Sequence, residues 1–335
     1  MNKPYIEFTS QKWDYYKDLP DELNNSFDHH SKLSLVDAYG LIFDKGESSS
    51  PVLFVRHGNT NNYRFGGFSR LSNTPFGLQT ALHENDIAQK ENTGPFRKLS
   101  DDPISYGYGT QVPFSEYRYF SDHAVFQESN ILDAVAEPFP YCVIQHQGEI
   151  ANFTEIIQPA VVSGTFEGKQ VKFIGSYDKV YQPLAKSTDI GSTMAYIMAL
   201  DHGIRPDGRK ESVVIWISSE GKSMGGYYLE GEEPVSTTEV IMDAEWSHLP
   251  YADDGTVGYK DATFHIGQKT IHFQGKWGCK GITAHPRMEK HGQSQIFGTW
   301  YEGDIPYNHL MFTTFHENME AFDYKIQKLG FKIID

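Results

Sequence analysis

Three short stretches gather ionisable and aromatic side chains beside apolar strands. The first is Tyr177-Asp178 with Tyr181, closing the hairpin that begins at Val161. The second is Asp201-His202, directly after the uncharged apolar run Met194–Leu200. The third is Gly275-Lys-Trp-Gly-Cys-Lys-Gly281, which sets Trp277 between glycines and runs on through Ile282-Thr-Ala-His-Pro-Arg287. A carboxylate or imidazole at the mouth of an apolar cavity is what acid–base work on a greasy substrate requires. Rings around a carboxyl desolvate it and raise its pKa, so that it can protonate an alkene or an oxygen near neutral pH. Asp178 and His202 are therefore the candidate catalytic groups. Tyr177, Tyr181, Trp216, Tyr227 and Trp277 are the candidate ligand-binding rings. The competing reading makes all of them ordinary strand-end polar residues with surface tyrosines.

Other motifs carry less. Val52-Leu-Phe-Val-Arg-His-Gly-Asn-Thr60 is a strand running into Arg56-His57-Gly58, and it resembles the nucleophile motif of the histidine phosphatases. There the His attacks phosphate and the Arg holds its oxygens. That family is α/β and helix-rich, with a second His-Gly ending another apolar strand, whereas His291-Gly292 follows Pro-Arg-Met-Glu-Lys. A histidine phosphatase is a distant alternative. The pairs His29-His30, His83-Glu84 and His316-Glu317 do not extend into a metal-ligand spacing, and no metal is expected. Gly175, Gly191, Gly225-Gly226 and Gly278 form no phosphate-cradling motif, and no GxSxG elbow exists. No cofactor is expected either.

The elements that must position these groups are strands. Aromatics make up 14% of the chain, with 22 Phe and 20 Tyr. Such residues suit a pleated sheet, and the scarcity of Leu removes helix-forming material. The chain is read as mostly β. Val161–Phe166 and Val171–Gly175 form a hairpin whose turn is placed at Gly168-Lys169, setting Phe173 opposite Gly164. Asp261–Ile266 and Lys269–Phe273 form another around Gly267-Gln268. Its register puts Ala262, Phe264, Ile266, Ile271 and Phe273 on one face and Thr263, His265, Thr270 and His272 on the other. Further turns fall at Pro206–Arg209, Ser219–Lys222, Leu229–Glu232 and Ala252–Thr256. Ser212–Ser218, apolar on both faces, reads as a central covered strand. Short helices are placed at Leu19–Phe27, His83–Lys90 and Ile131–Val135. A longer one over Met319–Leu329 precedes a last strand, Phe331–Ile334. The resulting division is a polar lead-in over 1–34, an N-terminal barrel-like half over 35–160 and a C-terminal barrel-like half over 161–335. The N-terminal half carries a loop-rich insertion at 83–135.

Charge narrows the partners. Lys and Arg total 29 against 44 Asp and Glu, a net charge of −15. A phosphate-tracking groove needs the opposite sign, so nucleic acid and anionic membrane are poor partners. Neither a membrane-length apolar run nor a signal peptide is visible, and the two cysteines make no disulfide framework. A cytoplasmic location is expected.

A resemblance joins these parts. The chain has Gly164…Gly168…Gly175-Ser-Tyr-Asp178, then Asp207-Gly208, then Gly226-Tyr-Tyr-Leu229…Gly231…Pro234-Val235. Gly275–Gly281 makes a looser second element. Over Val161–Lys280 this order resembles the lipocalin-like double-barrel proteins. That group contains AttH-like proteins, carotenoid 1,2-hydratase, kievitone hydratase and fungal Diels–Alderases. Many relatives have Arg before the acid, where this chain has Tyr177, and Ser-Trp-Gly after it, where it has Val180-Tyr181-Gln182. The resemblance implies two lipocalin-like barrels or β-sandwich halves side by side, an apolar pocket, and Asp178 alone as a proton donor. The expected function is binding of a lipid- or terpenoid-like hydrophobic small molecule, as a cofactor-independent hydratase, isomerase or cyclase. The alternative is a non-catalytic carrier or sensor of such a ligand.

Overall fold

Inward-facing apolar residues at every second position, broken by glycine-bearing turns, set this chain into antiparallel strands. The computed structural model describes residues 3–9, 32–43, 51–59, 64–66, 69–74, 77–82, 97–109, 115–130, 132–148, 154–166, 168–183, 196–218, 221–248, 251–252, 257–280, 293–303 and 305–316. Among the described residues there is no helix, and none therefore that could cross a membrane.

The first sheet has twelve strands. Its path runs Arg64–Gly66, Pro51–Asn59, Lys32–Phe43, Lys169–Pro183, Thr154–Phe166, Leu132–Pro138, Ala124–Glu128, Ser115–Tyr119, Ile104–Gly109 and Arg97–Asp101. Thr154–Phe166 changes neighbours along its length. Leu132–Pro138 pairs with one end, and Cys142–His146, itself paired with Tyr5–Thr9, takes the other. Gln158 sits at the changeover, where its side-chain amide donates to the carbonyls of Tyr141 (2.9 Å), Pro159 (3.0 Å) and Phe139 (3.2 Å). It thereby satisfies backbone acceptors that the interrupted ladder leaves over.

The second sheet has ten strands, in the order Val235–Thr237, Ser223–Leu229, Lys210–Ser218, Tyr196–Ile204, Ile305–His316, Gln293–Glu302, Lys269–Lys280, Val257–Ile266 and Val240–His248, with Tyr251–Ala252 parallel to Lys269–Lys280. This sheet curls until one end strand lies against Ser223–Leu229. The Ser223 hydroxyl accepts from the Val240 amide at 2.8 Å and donates to the Thr238 carbonyl at 3.2 Å. A Cβ on Gly225 would stand 2.6 Å from Val240 Cγ2. Glycine is what lets the two strands meet. No backbone ladder closes either sheet among the described residues.

Inside the curl, Ile197, Val213, Ile215, Tyr259, Phe264, Phe273 and Trp300 form a buried core. The other side of the same strands makes a second core with the first sheet: Leu200, Val214, Trp216 and Met224 pack with Ile6, Phe139, Tyr141, Val143 and Ile157. Lys210–Ser218 serves both, and every residue from Glu211 to Ser218 is buried, as its two-sided apolar sequence predicts. The second core is the seam between the sheets.

Several expectations need correction. Leu132–Pro138 is a strand, not a helix at Ile131–Val135. Buried Leu132, Ala134 and Ala136 alternate with exposed Asp133, Val135 and Glu137, a two-residue period. The stretch read as loop-rich at 83–135 contributes strands of five to seven residues to the first sheet, one of which runs through Gly107 and Gly109. Tyr5–Thr9 is a strand inside the polar lead-in. In the 161–175 hairpin Phe166 pairs with Lys169, Val162 with Phe173 and Gly164 with Val171, so the turn does not fall at Gly168-Lys169. Gly168 takes φ +76° at the second loop position, where the turn needs it. The whole of Thr154–Pro183 lies in the first sheet, and the second sheet takes the chain up at Tyr196. The hairpin around Gly267-Gln268 has the predicted register and faces. The helices placed at Leu19–Phe27, His83–Lys90 and Met319–Leu329, and the strand Phe331–Ile334, lie outside the described residues.

Candidate functional site

The predicted site residues are distributed over four places. His202 and Trp216 reach the seam. Tyr196–Ile204 and Lys210–Ser218 pair His202 with Ser212 and Met198 with Trp216, and these positions alternate with those of the second sheet's interior. His202 Nδ1 is hydrogen-bonded to Ser212 Oγ at 2.6 Å, and the same hydroxyl is 2.7 Å from Tyr141 OH. An imidazole, a hydroxyl and a phenol thus form a buried chain from one sheet to the other. Burial holds the Tyr141 phenol well above its ordinary pKa, so it stays protonated. Tyr141 packs 4.3 Å from the Tyr228 ring, which stacks on Phe8 at 5.5 Å. At the other end of the seam Trp216 Nε1 donates to Gln145 Oε1 at 2.6 Å, and Gln145 Nε2 donates to the Glu155 carboxylate.

Asp178 enters through its pairing. It lies opposite Ile157, a fully buried member of the seam core, and Asp37 flanks it on the other side. Tyr177, one residue earlier, belongs to the opposite face, where its ring packs with Tyr119 (5.7 Å) and Phe126 (6.1 Å) inside the first sheet. Tyr181 pairs with Thr154 and Ser34 at a position of that same face. Trp277 pairs with Phe297 and Tyr251 at the far side of the second sheet. His202 and Trp216 therefore reach the seam, Asp178 holds a register position on its face of the first sheet, and the rings of Tyr177 and Tyr227 pack elsewhere.

Tyr227 belongs to an ionic cluster at one end of the second sheet's interior. Its hydroxyl donates to Glu211 and accepts from Arg205 Nη2 at 2.8 Å. Arg205 also donates to Glu211 through Nε at 3.1 Å and to Glu302. Lys269 Nζ bonds Glu302 Oε1 at 2.9 Å and stands 4.9 Å from the Tyr227 ring centre. Burial opposes the Arg205 charge, but its bonds to Glu211 and Glu302 outweigh burial and hold the guanidinium firmly protonated. The groups of this cluster satisfy one another through these bonds.

One carboxyl that the candidate set omits has the electrostatics sought for Asp178. Asp201 faces the second sheet's interior in the row Tyr227–Val213–Asp201. Burial pushes its pKa well above the carboxylate range, and nearby Glu211 adds to the push. Burial thus favours its protonated form. The signal was present in the strand itself, since Asp201 continues the inward series Ile197, Ala199. Among the described residues no cluster of three or more His, Cys, Asp or Glu is placed to hold a metal ion.

Comparison with solved structures follows from this geometry. A protein described as AttH from Nitrosomonas europaea superimposes with a TM-score of 0.50 at 11% identity, covering 90% of this chain and 98% of that one. The two share a fold. AttH-like proteins are in the group that the order over Val161–Lys280 resembles. Kievitone hydratase from Nectria haematococca matches with a TM-score of 0.41 at 12% identity, over 86% of this chain and 89% of that one. CghA solved with Sch210972 matches with a TM-score of 0.42 at 10% identity, over 86% and 88%. No protein-family model and no curated protein matches the chain. Among the described residues the elements are all strands, unlike the helix-rich α/β fold that the Arg56-His57-Gly58 resemblance implies.

Proposed function

We propose that this protein binds a lipid- or terpenoid-like hydrophobic small molecule at the seam and acts on it without a cofactor, as a hydratase, isomerase or cyclase. In this reading the two sheets are barrel-like halves and the ligand lies where they meet. One observation carries it: Asp178 is the direct cross-strand partner of Ile157, which packs in the same apolar core as Trp216. Asp178 thus holds a register position on the sheet face that carries this apolar core, and His202, held by Ser212, reaches the same seam from the facing sheet. In a hydration, the Asp178 carboxyl gives its proton to one carbon of a double bond and water adds its oxygen to the other. His202 takes the surplus proton from that water and returns it to the acid, so the catalyst is unchanged.

The test is native mass spectrometry of the purified full chain, then of Asp178→Asn and Trp216→Ala. A co-purifying apolar molecule, lost in Trp216→Ala, is the expected result. If the captured molecule is turned over by the wild type and retained unaltered by Asp178→Asn, the enzyme reading holds. If Asp178→Asn changes nothing, the protein is a carrier or sensor. Capture of nothing by the wild type, with no quenching of tryptophan emission by added apolar ligands, ends the seam reading.

A further inference from the structure

His202, Ser212 and Tyr228 share one row across three strands of the second sheet, and Tyr141 reaches that row from the first. Ser212 Oγ stands 2.6 Å from His202 Nδ1 and 2.7 Å from the Tyr141 hydroxyl oxygen. All three side chains are buried, Ser212 completely. Among the described residues, the hydroxyls of Tyr141 and Ser212 make no other hydrogen bond. The titratable groups acting on Tyr141 from its surroundings are Tyr228, Glu211 and Glu230. Glu211 is committed to Arg205 and Tyr227, and Glu230 to Lys210.

A count of hydrogens gives the chain a direction. A phenol, a hydroxyl and a neutral imidazole bring one hydrogen each to two hydrogen bonds. If Tyr141 donates to Ser212 and Ser212 donates to Nδ1, both hydroxyl hydrogens are used. The imidazole then carries its own hydrogen on Nε2. If Nδ1 donates instead, Ser212 must donate to Tyr141, and the phenol hydrogen is buried with no acceptor among the described residues. A stranded buried donor loses its hydration and gains nothing in return. Burial keeps the Tyr141 phenol protonated, so that hydrogen always has to be placed.

We propose that Tyr141, Ser212 and His202 form a proton relay across the seam, with Tyr141 as the group that touches the reacting water. The relay rests on the seam reading and deepens it, because it names the route by which His202 takes the water's surplus proton. The water proton passes to the Tyr141 oxygen as Tyr141 hands its own hydrogen to Ser212 Oγ. Ser212 in turn gives its hydrogen to His202 Nδ1. One O–H bond of water breaks, one N–H bond forms, and both hydroxyls are restored. The freed electron pair of the water oxygen bonds the ligand carbon, and the imidazole becomes imidazolium. The same three transfers in reverse discharge it.

The test is NMR of the full chain, labelled at histidine ring nitrogens and tyrosine Cζ, with no ligand added. In the wild type, neutral His202 should carry its hydrogen on Nε2 and accept at Nδ1. When acid protonates Nδ1, the Ser212 hydrogen must turn to Tyr141, so the Tyr141 Cζ signal should move with the His202 midpoint. Ser212→Ala should uncouple the two signals, and Ser212→Thr, which keeps the hydroxyl, should restore the coupling. If a captured ligand is turned over, Tyr141→Phe should slow turnover at least about 100-fold and leave the hydrogen on Nε2. A hydrogen on Nδ1 of neutral His202 overturns the relay even if the seam captures a ligand. So does a Tyr141 signal that ignores His202, or one that still follows it in Ser212→Ala, where charge alone would move the phenol. Conversely, the expected tautomer and coupling uphold the relay even if no ligand is captured. The wild-type nitrogen shifts alone decide the matter if a variant fails to fold or His202 stays neutral until the chain unfolds.

Discussion

Tyr177 and Asp178 are neighbours in the chain and belong to opposite faces of one sheet: Tyr177 packs on Tyr119 at 5.7 Å, while Asp178 is paired with Ile157 of the seam. The two substitutions should therefore separate. Tyr177→Ala removes a buried ring and should cost about 3–5 kcal/mol, without altering which ligand the seam takes. Asp178→Asn should leave the unfolding midpoint close to that of the wild type and abolish turnover. Urea denaturation and ligand capture, measured on both variants, check this. Parallel losses of stability and capture in the two would mean that the faces are not separate compartments.

The strand Tyr5–Thr9 tests the seam from its other side. A Cβ on Gly226 would stand 2.5 Å from Ile6 Cγ2 and 2.8 Å from Phe8 Cε2, and Ser236 Oγ donates to the Ile6 carbonyl at 2.7 Å. The absent side chain lets the first strand lie on the second sheet. Gly226→Val should overpack this contact by about 1–3 kcal/mol and lift the strand. Proteolysis near the N-terminus should accelerate in the variant before global unfolding does. Unchanged cleavage would show that the strand does not depend on this approach.

How much of this was legible in the sequence depends on the range of the contact. The hairpin around Gly267-Gln268 could be read completely, because a strict two-residue period and its turn residues agree. The Val161 hairpin was legible as a hairpin, but its turn was not. A lone glycine fits either position of a two-residue loop, and here the second position claims it. The seam left no local trace: Trp216 and Gln145 are 71 residues apart, and their bond exists only because two sheets pack face to face. The pairing of Lys169–Pro183 with Lys32–Phe43 was hidden for the same reason, since the two strands lie more than a hundred residues apart in the chain. Asp201 differs. Its inward alternation with Ile197 and Ala199 was in plain view, but the polar Asp-His ending resembles an exposed strand end.

The ionic cluster at Tyr227 makes a sharper stability prediction than any surface pair. Arg205 and Glu211 are almost wholly buried, and Tyr227 and Glu302 complete their bonds. Arg205→Met keeps the bulk of the side chain but strands the Glu211 carboxylate in the interior. Breaking such a pair from one side costs about 3–5 kcal/mol. The double variant Arg205→Met/Glu211→Leu should recover a large part of that loss, since the uncompensated charge is then gone. A double-mutant cycle by urea denaturation checks it. A double variant as unstable as the sum of the single ones would mean that the two groups act independently.

Asp201 should impose a pH dependence of recognisable sign. Burial raises its folded-state pKa well above the unfolded value of about 3.9. Between those two values the folded protein keeps a proton that the unfolded chain has released. Linkage then lowers stability as pH rises, by about 1.4 kcal/mol per pH unit across that interval. The group's contribution is complete below about pH 3.9 and lost as pH climbs to the folded pKa. Asp201→Asn preserves the shape of the protonated acid and cannot release a proton. Relative to the wild type, the variant should therefore gain stability steadily as pH is raised from about 4, with the two curves diverging at that slope. Urea denaturation of both proteins at half-unit pH intervals measures the divergence. If the curves run parallel from acid to neutral pH, Asp201 is ionised in the folded protein, and an interior proton donor on the second sheet is ruled out.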